Sequence, residues 1–220
     1  MTRVIVICEG QTEETFVNEV LRNQFALEGV YLRARLIGKP GHKGGNVRIQ
    51  RLTHDIRAIL LNDSDAYCTT FIDFYGLPSD FPGKQAASSL PTTEGKSKRL
   101  LQSLTQTLKS KLGREPMRRC IPYVQMHEFE GLLFSDPQAL AASINKIRLS
   151  PKFTEIREQF STPEDINDSP MSAPSKRITD LYSQYEKPTA GSIAALEIGL
   201  PKIRNECPLF DKWLTHLETL

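Results

Sequence analysis

The chain has 220 residues, with 28 Lys and Arg against 26 Asp and Glu and a formal net charge of +2. That balance excludes a uniformly basic nucleic-acid coat, so any surface for a polyanion must be local and set against acidic surface elsewhere. No apolar run approaches the roughly 20 residues that cross a bilayer, and the N-terminus lacks a basic segment followed by an apolar stretch and a cleavage site, so a soluble cytosolic protein with no membrane association is expected. The cysteines Cys8, Cys68, Cys120 and Cys207 form no C-x-x-C pair, and reduced core thiols are expected rather than a zinc site.

Taken in order, Val4 to Cys8 is apolar without alternation, as suits a strand buried on both faces. It ends in Glu9 and Gly10, with Thr12 as the expected N-cap of a helix and Glu13 and Glu14 supplying first-turn negative charge. Glu9 therefore stands at the carboxyl end of a central strand, the edge where open parallel sheets bind ligands. Phe16, Val17, Val20, Leu21 and Phe25 recur at helical spacing, and Gly29 ends that helix. Val30 to Ile37 then alternates apolar and basic residues as a half-exposed strand.

The segment Gly38 to Asn46 is rich in glycine and cationic through Lys39, His42 and Lys43. It does not fit the P-loop pattern, so ATP binding there is not expected. It reads either as a phosphate-receiving loop or as an ordinary connector. Val47, Ile49, Leu52, Ile56, Ile59 and Leu60 mark a second amphipathic helix, and Tyr67 to Ile72 a strand that delivers Asp73. A third helix follows, with core positions at Leu100 or Leu101, Leu104, Leu108 and Leu112. A fourth strand, Cys120 to Met126, arrives at His127-Glu128-Phe129-Glu130. Three strands thus end in carboxylates. Glu128 and Glu130 are two apart, so one of them is expected as a direct metal ligand, and His127 is expected in a structural role.

From Phe134 onward the strand patterns stop. Short helices are expected around Asp136 to Asn145, Phe153 to Phe160, Lys176 to Tyr185, Ile193 to Ile198 and Phe210 to Leu217, with Lys187 to Gly191 as a turn. The expected organisation is an α/β core over residues 1–135 and a helical C-terminal extension over residues 136–220, packed on that core.

With Glu9, Asp73 and the His127 to Glu130 cluster in view, the chain resembles the TOPRIM superfamily. That superfamily places a Glu after its first strand and Asp-x-Asp after its third, in a small parallel sheet flanked by helices. More narrowly it resembles a bacterial family catalogued as domain of unknown function 4276, through Glu9-Gly10-x-Thr12-Glu13, Lys43-Gly44-Gly45, Asp73-x-Tyr75 and His127-Glu128-Phe129-Glu130. Pro174-Ser175-Lys176-Arg177 and Cys207-Pro208-x-Phe210-x-x-Trp213 fit as well. The resemblance implies metal-dependent cleavage of nucleic acid, as by a TOPRIM-type nuclease in phage defence. Glu9 and Asp73 would be catalytic, and Glu9, Asp73, Glu128 and Glu130 would supply the ligands of Mg²⁺ or Mn²⁺. Lys39, Lys43, Lys176 and Arg177 would meet phosphates. Where the superfamily has Asp-x-Asp this chain has Asp73-Phe74-Tyr75. Either Glu128 or Glu130 replaces the missing acid, or the chain is a catalytically reduced binding or regulatory subunit beside a partner ATPase.

Overall fold

A computed structural model of the chain describes residues 1–38, 44–45, 47–166 and 172–220. Lys39, His42 and Lys43 of the glycine loop lie outside the described residues. The sheet has four parallel strands in the order β2-β1-β3-β4, formed by β1 (Thr2–Cys8), β2 (Val30–Leu36), β3 (Ala66–Phe71) and β4 (Cys120–Ile121). Between β1 and β2 run α1 (Gln11–Phe16), a π-helical turn (Val17–Leu21) and α2 (Arg22–Leu27). The helix begins two residues earlier than Thr12 as its N-cap would dictate. Gly10 is its N-cap, and Thr12 is buried inside the first turn.

The second crossover is α3 (Ile49–Asn62). The third holds α4 (Lys84–Ser88), α5 (Thr93–Leu112) and α6 (Arg114–Met117). The first helical run packs one face of the sheet, where Val4, Val6, Cys8 and Phe71 meet Phe16, Leu21 and Phe25. The other face is aliphatic: Ile7, Cys68 and Ile72 meet Leu52 and Ile56 of α3 and Leu100, Leu104 and Leu108 of α5. Because β1 connects outward to β2 and the chain then crosses over to β3, strand order reverses between β1 and β3. In open parallel sheets the carboxyl ends of such a pair are where ligands bind.

The fourth strand is much shorter than its apolar run. Pro122 has no N–H to offer the ladder, and hydroxyls stand in for part of it. Thr69 Oγ1 donates to the Ile121 carbonyl at 2.5 Å, and Thr70 Oγ1 donates to that of Tyr123 at 2.6 Å while accepting from Tyr123 N. Pairing resumes beyond, where Asp73 bridges Gln125 and Tyr75 N donates to His127 O. The extended segment thereby carries the third acidic stretch to the same edge as Glu9 and Asp73.

A 3₁₀ turn (Phe129–Ser135) leads into α7 (Pro137–Ser143), α8 (Ser150–Glu158), α9 (Pro174–Leu181), α10 (Lys187–Ile198), α11 (Leu200–Glu206) and α12 (Pro208–Glu218). The segment Lys187 to Gly191, expected as a turn, is the opening of α10, with Pro188 in its first positions where a missing N–H costs nothing. Phe129, Phe210 and Trp213 share one hydrophobic cluster with the strand residues Val4, Val6 and Phe71. Trp213 stacks on Tyr123 with centroids 4.4 Å apart, and its indole N–H donates to Thr69 Oγ1 at 2.9 Å. All four cysteines are buried and free. Among the described residues no helix is long and apolar enough to cross a membrane.

Candidate functional site

Glu9 follows β1 directly, and its carboxylate turns along the sheet edge toward β3. Asp73 N donates to Glu9 Oε2 at 3.1 Å. A Cβ added to Gly76 would stand 2.3 Å from Glu9 Oε1, so glycine is what lets the loop after β3 close over this carboxylate. The described end of the glycine-rich loop holds Glu9 from the other side, Gly45 N donating to its carbonyl at 2.8 Å.

Glu13, one turn into the helix, reaches back to accept from Gly10 N at 2.8 Å and is buried. Burial pushes its carboxyl up to about 7, with Glu9 and Glu130 adding to the rise against its backbone hydrogen bonds. Burial likewise raises Asp73 well above the usual carboxylate range, reinforced by Glu13, Glu9 and Glu130. The same desolvation raises Glu9 and Glu130. Four carboxylates from three segments therefore feel one another's charge. Asp73 Oδ1 and Glu130 Oε1 are buried without a hydrogen-bond partner, as is the Tyr185 hydroxyl.

Three helix N-termini face this negative charge. Gly10 N at the head of α1 binds Glu13, Ser175 N at the head of α9 donates to Glu128 Oε2 at 3.0 Å, and α10 opens at Lys187. The Lys187 ammonium lies 3.3 Å from Glu130 Oε2 and 3.6 Å from Glu128 Oε1. Burial alone would lower its pKa, but Glu130, Glu128 and Asp73 overcome that and hold it raised. Close seating of α10 depends on Gly191. A Cβ there would meet Tyr185 Oη at 3.1 Å, Phe129 Cε1 at 3.4 Å and Thr12 Cγ2 at 3.5 Å.

His127 is buried at a φ of 62°, in the left-handed region uncommon for residues other than glycine, and packs against Phe74 and Tyr75. The Tyr75 ring stands 5.4 Å from this histidine. Lys84 Nζ donates to the Phe74 carbonyl and lies 3.2 Å over the Phe74 ring. Burial, followed by repulsion from Lys96, brings Lys84 down to about 8.

The sequence-derived sites are thus distributed unevenly. Glu9, Asp73, Glu128 and Glu130 gather at one edge. Among the described residues, however, no three His, Cys, Asp or Glu side chains stand close enough together, as placed, to hold one metal ion. Arg177 donates to the Ser172 carbonyl at 2.9 Å and lies 5.3 Å from the Phe160 ring, and Lys176 is exposed beside Ser175. Sequence reasoning missed Glu13 as a member of the cluster and missed Lys187 entirely.

Fold and site together define a doubly wound α/β protein with an acidic cluster at the point where its strand order reverses. The chain belongs to the family described as Domain of unknown function (DUF4276), whose model matches residues 8–218. Neither the curated proteins nor the solved structures contain a match to it.

Proposed function

We propose that the chain is a TOPRIM-like, metal-dependent nuclease whose acidic crevice cleaves phosphodiester bonds of nucleic acid. The observation that carries this reading is the set of buried, mutually repelling carboxylates at the switch point, two of which keep an oxygen without a partner. Crowding like charges out of water costs stability, and a hard cation is the ligand that such oxygens accept. The donor chemistry fits Mg²⁺ or Mn²⁺: Glu9, Asp73 and one of Glu128 and Glu130 would hold it, with Glu13 in support. A bound divalent ion would supply charge stabilisation at a phosphoryl oxygen and an activated water.

The chain's own part is positioning and proton handling. Glu9, raised by burial above the ordinary carboxylate range and held by the Asp73 N–H, is the carboxylate best placed to take a proton from an attacking water. Lys176, exposed beside Ser175, would meet a flanking phosphate, whereas Arg177 is engaged by Ser172 and Phe160. A second reading, a binding or regulatory subunit beside a partner ATPase, draws support from Tyr75 in place of the second Asp.

The test is incubation of the purified chain with plasmid DNA, single-stranded DNA and RNA in Mg²⁺, in Mn²⁺ and in EDTA, alongside Glu9→Gln. Cleavage that requires the metal and is lost in Glu9→Gln is the expected result. Metal-independent binding without cleavage of any substrate would overturn the nuclease and favour the subunit.

A further inference from the structure

Lys187 is the residue whose place in the acidic crevice the reading above leaves unused. It pairs at once with Glu128 and Glu130. Its side chain is 45% exposed, while those of Glu128 and Glu130 are 15% and 2% exposed, so the ammonium stands between solvent and the acids. Beside it the site has unused polar capacity: Glu130, 1% exposed, gives Oε2 to Lys187 and leaves Oε1 without a partner. The Tyr185 hydroxyl, in a residue 7% exposed and packed near α10 at Gly191, is also without one.

We propose that Lys187 is a resident counter-cation that competes with a divalent ion for Glu128 and Glu130. The proposal rests on the metal reading of the crevice. A single ammonium offsets part of the negative charge, whereas a divalent ion at equal distance attracts each carboxylate twice as strongly. Lys187 can yield without unfolding α10. Its ammonium rides on a flexible four-carbon stem, and Pro188 fixes the backbone dihedral immediately behind it. The displaced ammonium swings to the solvent side of the crevice, where an incoming phosphate of the substrate would find a positive charge. Lys187 thus sets the cation concentration at which the crevice fills, and it ties filling by the ion to recognition of the anion.

Titrating Mn²⁺ calorimetrically into wild type, Lys187→Gln and Lys187→Arg at pH 8 tests this. Removing the competitor should tighten Mn²⁺ binding about tenfold in Lys187→Gln, while Lys187→Arg, which keeps the charge, should stay within about threefold of wild type. Without metal, Lys187→Gln should melt below wild type, and Mn²⁺ should raise its melting temperature by more. In the wild-type chain itself, Mg²⁺ should move the Lys187 side-chain nitrogen resonance toward that of a free lysine, a readout that needs no variant. Equal or weaker Mn²⁺ affinity in Lys187→Gln, or an unmoved resonance at saturating Mg²⁺, overturns the role of Lys187 and leaves the cation site standing. If neither wild type nor Lys187→Gln binds Mn²⁺ at millimolar concentration, the metal reading falls and the competition falls with it.

Discussion

Glu164 and Asp73 are both carboxylates taken out of water, and the company they keep differs. Glu164, 1% exposed, accepts from Leu209 N at 2.8 Å and Phe210 N at 2.9 Å, one donor for each oxygen, at the head of α12. Burial still pushes it up to about 7, but its role is complete within the fold: it holds a helix end. Asp73 has an oxygen with no partner and lies within electrostatic reach of Glu13, Glu9 and Glu130. The difference separates an acid kept for structure from acids kept at a cost to structure. Raised pKa values alone would not have distinguished them, because burial is the main cause of both. The missing donors do.

The largest expected effect tests the acidic side. Asp73→Asn removes a charge from the crevice at nearly constant volume, and it should lower metal-dependent cleavage by more than about a hundredfold while the urea midpoint stays level or rises. A variant that cuts as fast as wild type at limiting Mg²⁺ would take Asp73 out of the reaction. Glu164→Ala is the converse. It strips two N–H groups, that of Phe210 buried and that of Leu209 half-buried, of their acceptor and should cost about 2 kcal/mol in urea denaturation, with the cleavage rate per folded molecule unchanged. Should it lose activity without losing stability, the line drawn between the two regions is in the wrong place.

The smallest effect is on pH. Glu13 has an ordinary pKa of 4.5 and sits at about 7 in the folded chain, as Glu164 does. A carboxyl raised on folding binds its proton more tightly in the folded state, so stability falls as pH rises between about 4.5 and 7 and levels off above. Denaturation without metal at pH 5, 6, 7 and 8 should show that fall. The part of it that persists in Glu164→Ala belongs to the crevice, and a flat profile there would mean that its carboxylates are already ionised at pH 5.

Much of this site is visible in the sequence because strand and acid are adjacent. An apolar run that stops at Glu9, and another that stops at Asp73, put a carboxylate at a strand end whatever the details of packing. Glu130 follows from the same pattern, even though Pro122 reduces the paired part of its strand to Cys120–Ile121. Glu13 was hidden by its position: a glutamate in a first turn looks like a dipole partner, and only the fold of Gly10 and the approach of Asp73 make it part of a cluster. Lys187 was hidden by its neighbours, since Lys-Pro-Thr-Ala-Gly has the composition of a turn. What makes it a helix start is the docking of α10 against Phe129 and Thr12 through Gly191, a long-range contact that no local pattern carries. Arg177 shows the opposite limit. A cation at a helix head looks free of the fold, yet its Nε donates to the Ser172 carbonyl and its guanidinium lies by the Phe160 ring, contacts that no local pattern carries.

Trp213 is the one tryptophan in the chain, and it lies flat against Tyr123 with its indole N–H held by a strand hydroxyl. Its fluorescence is therefore the emission of a single, buried, hydrogen-bonded ring at the seam between α12 and the sheet. Separation of that seam would expose the indole to water and shift its emission to longer wavelength, so the chain carries an optical gauge of how firmly its last helix is seated, without any label.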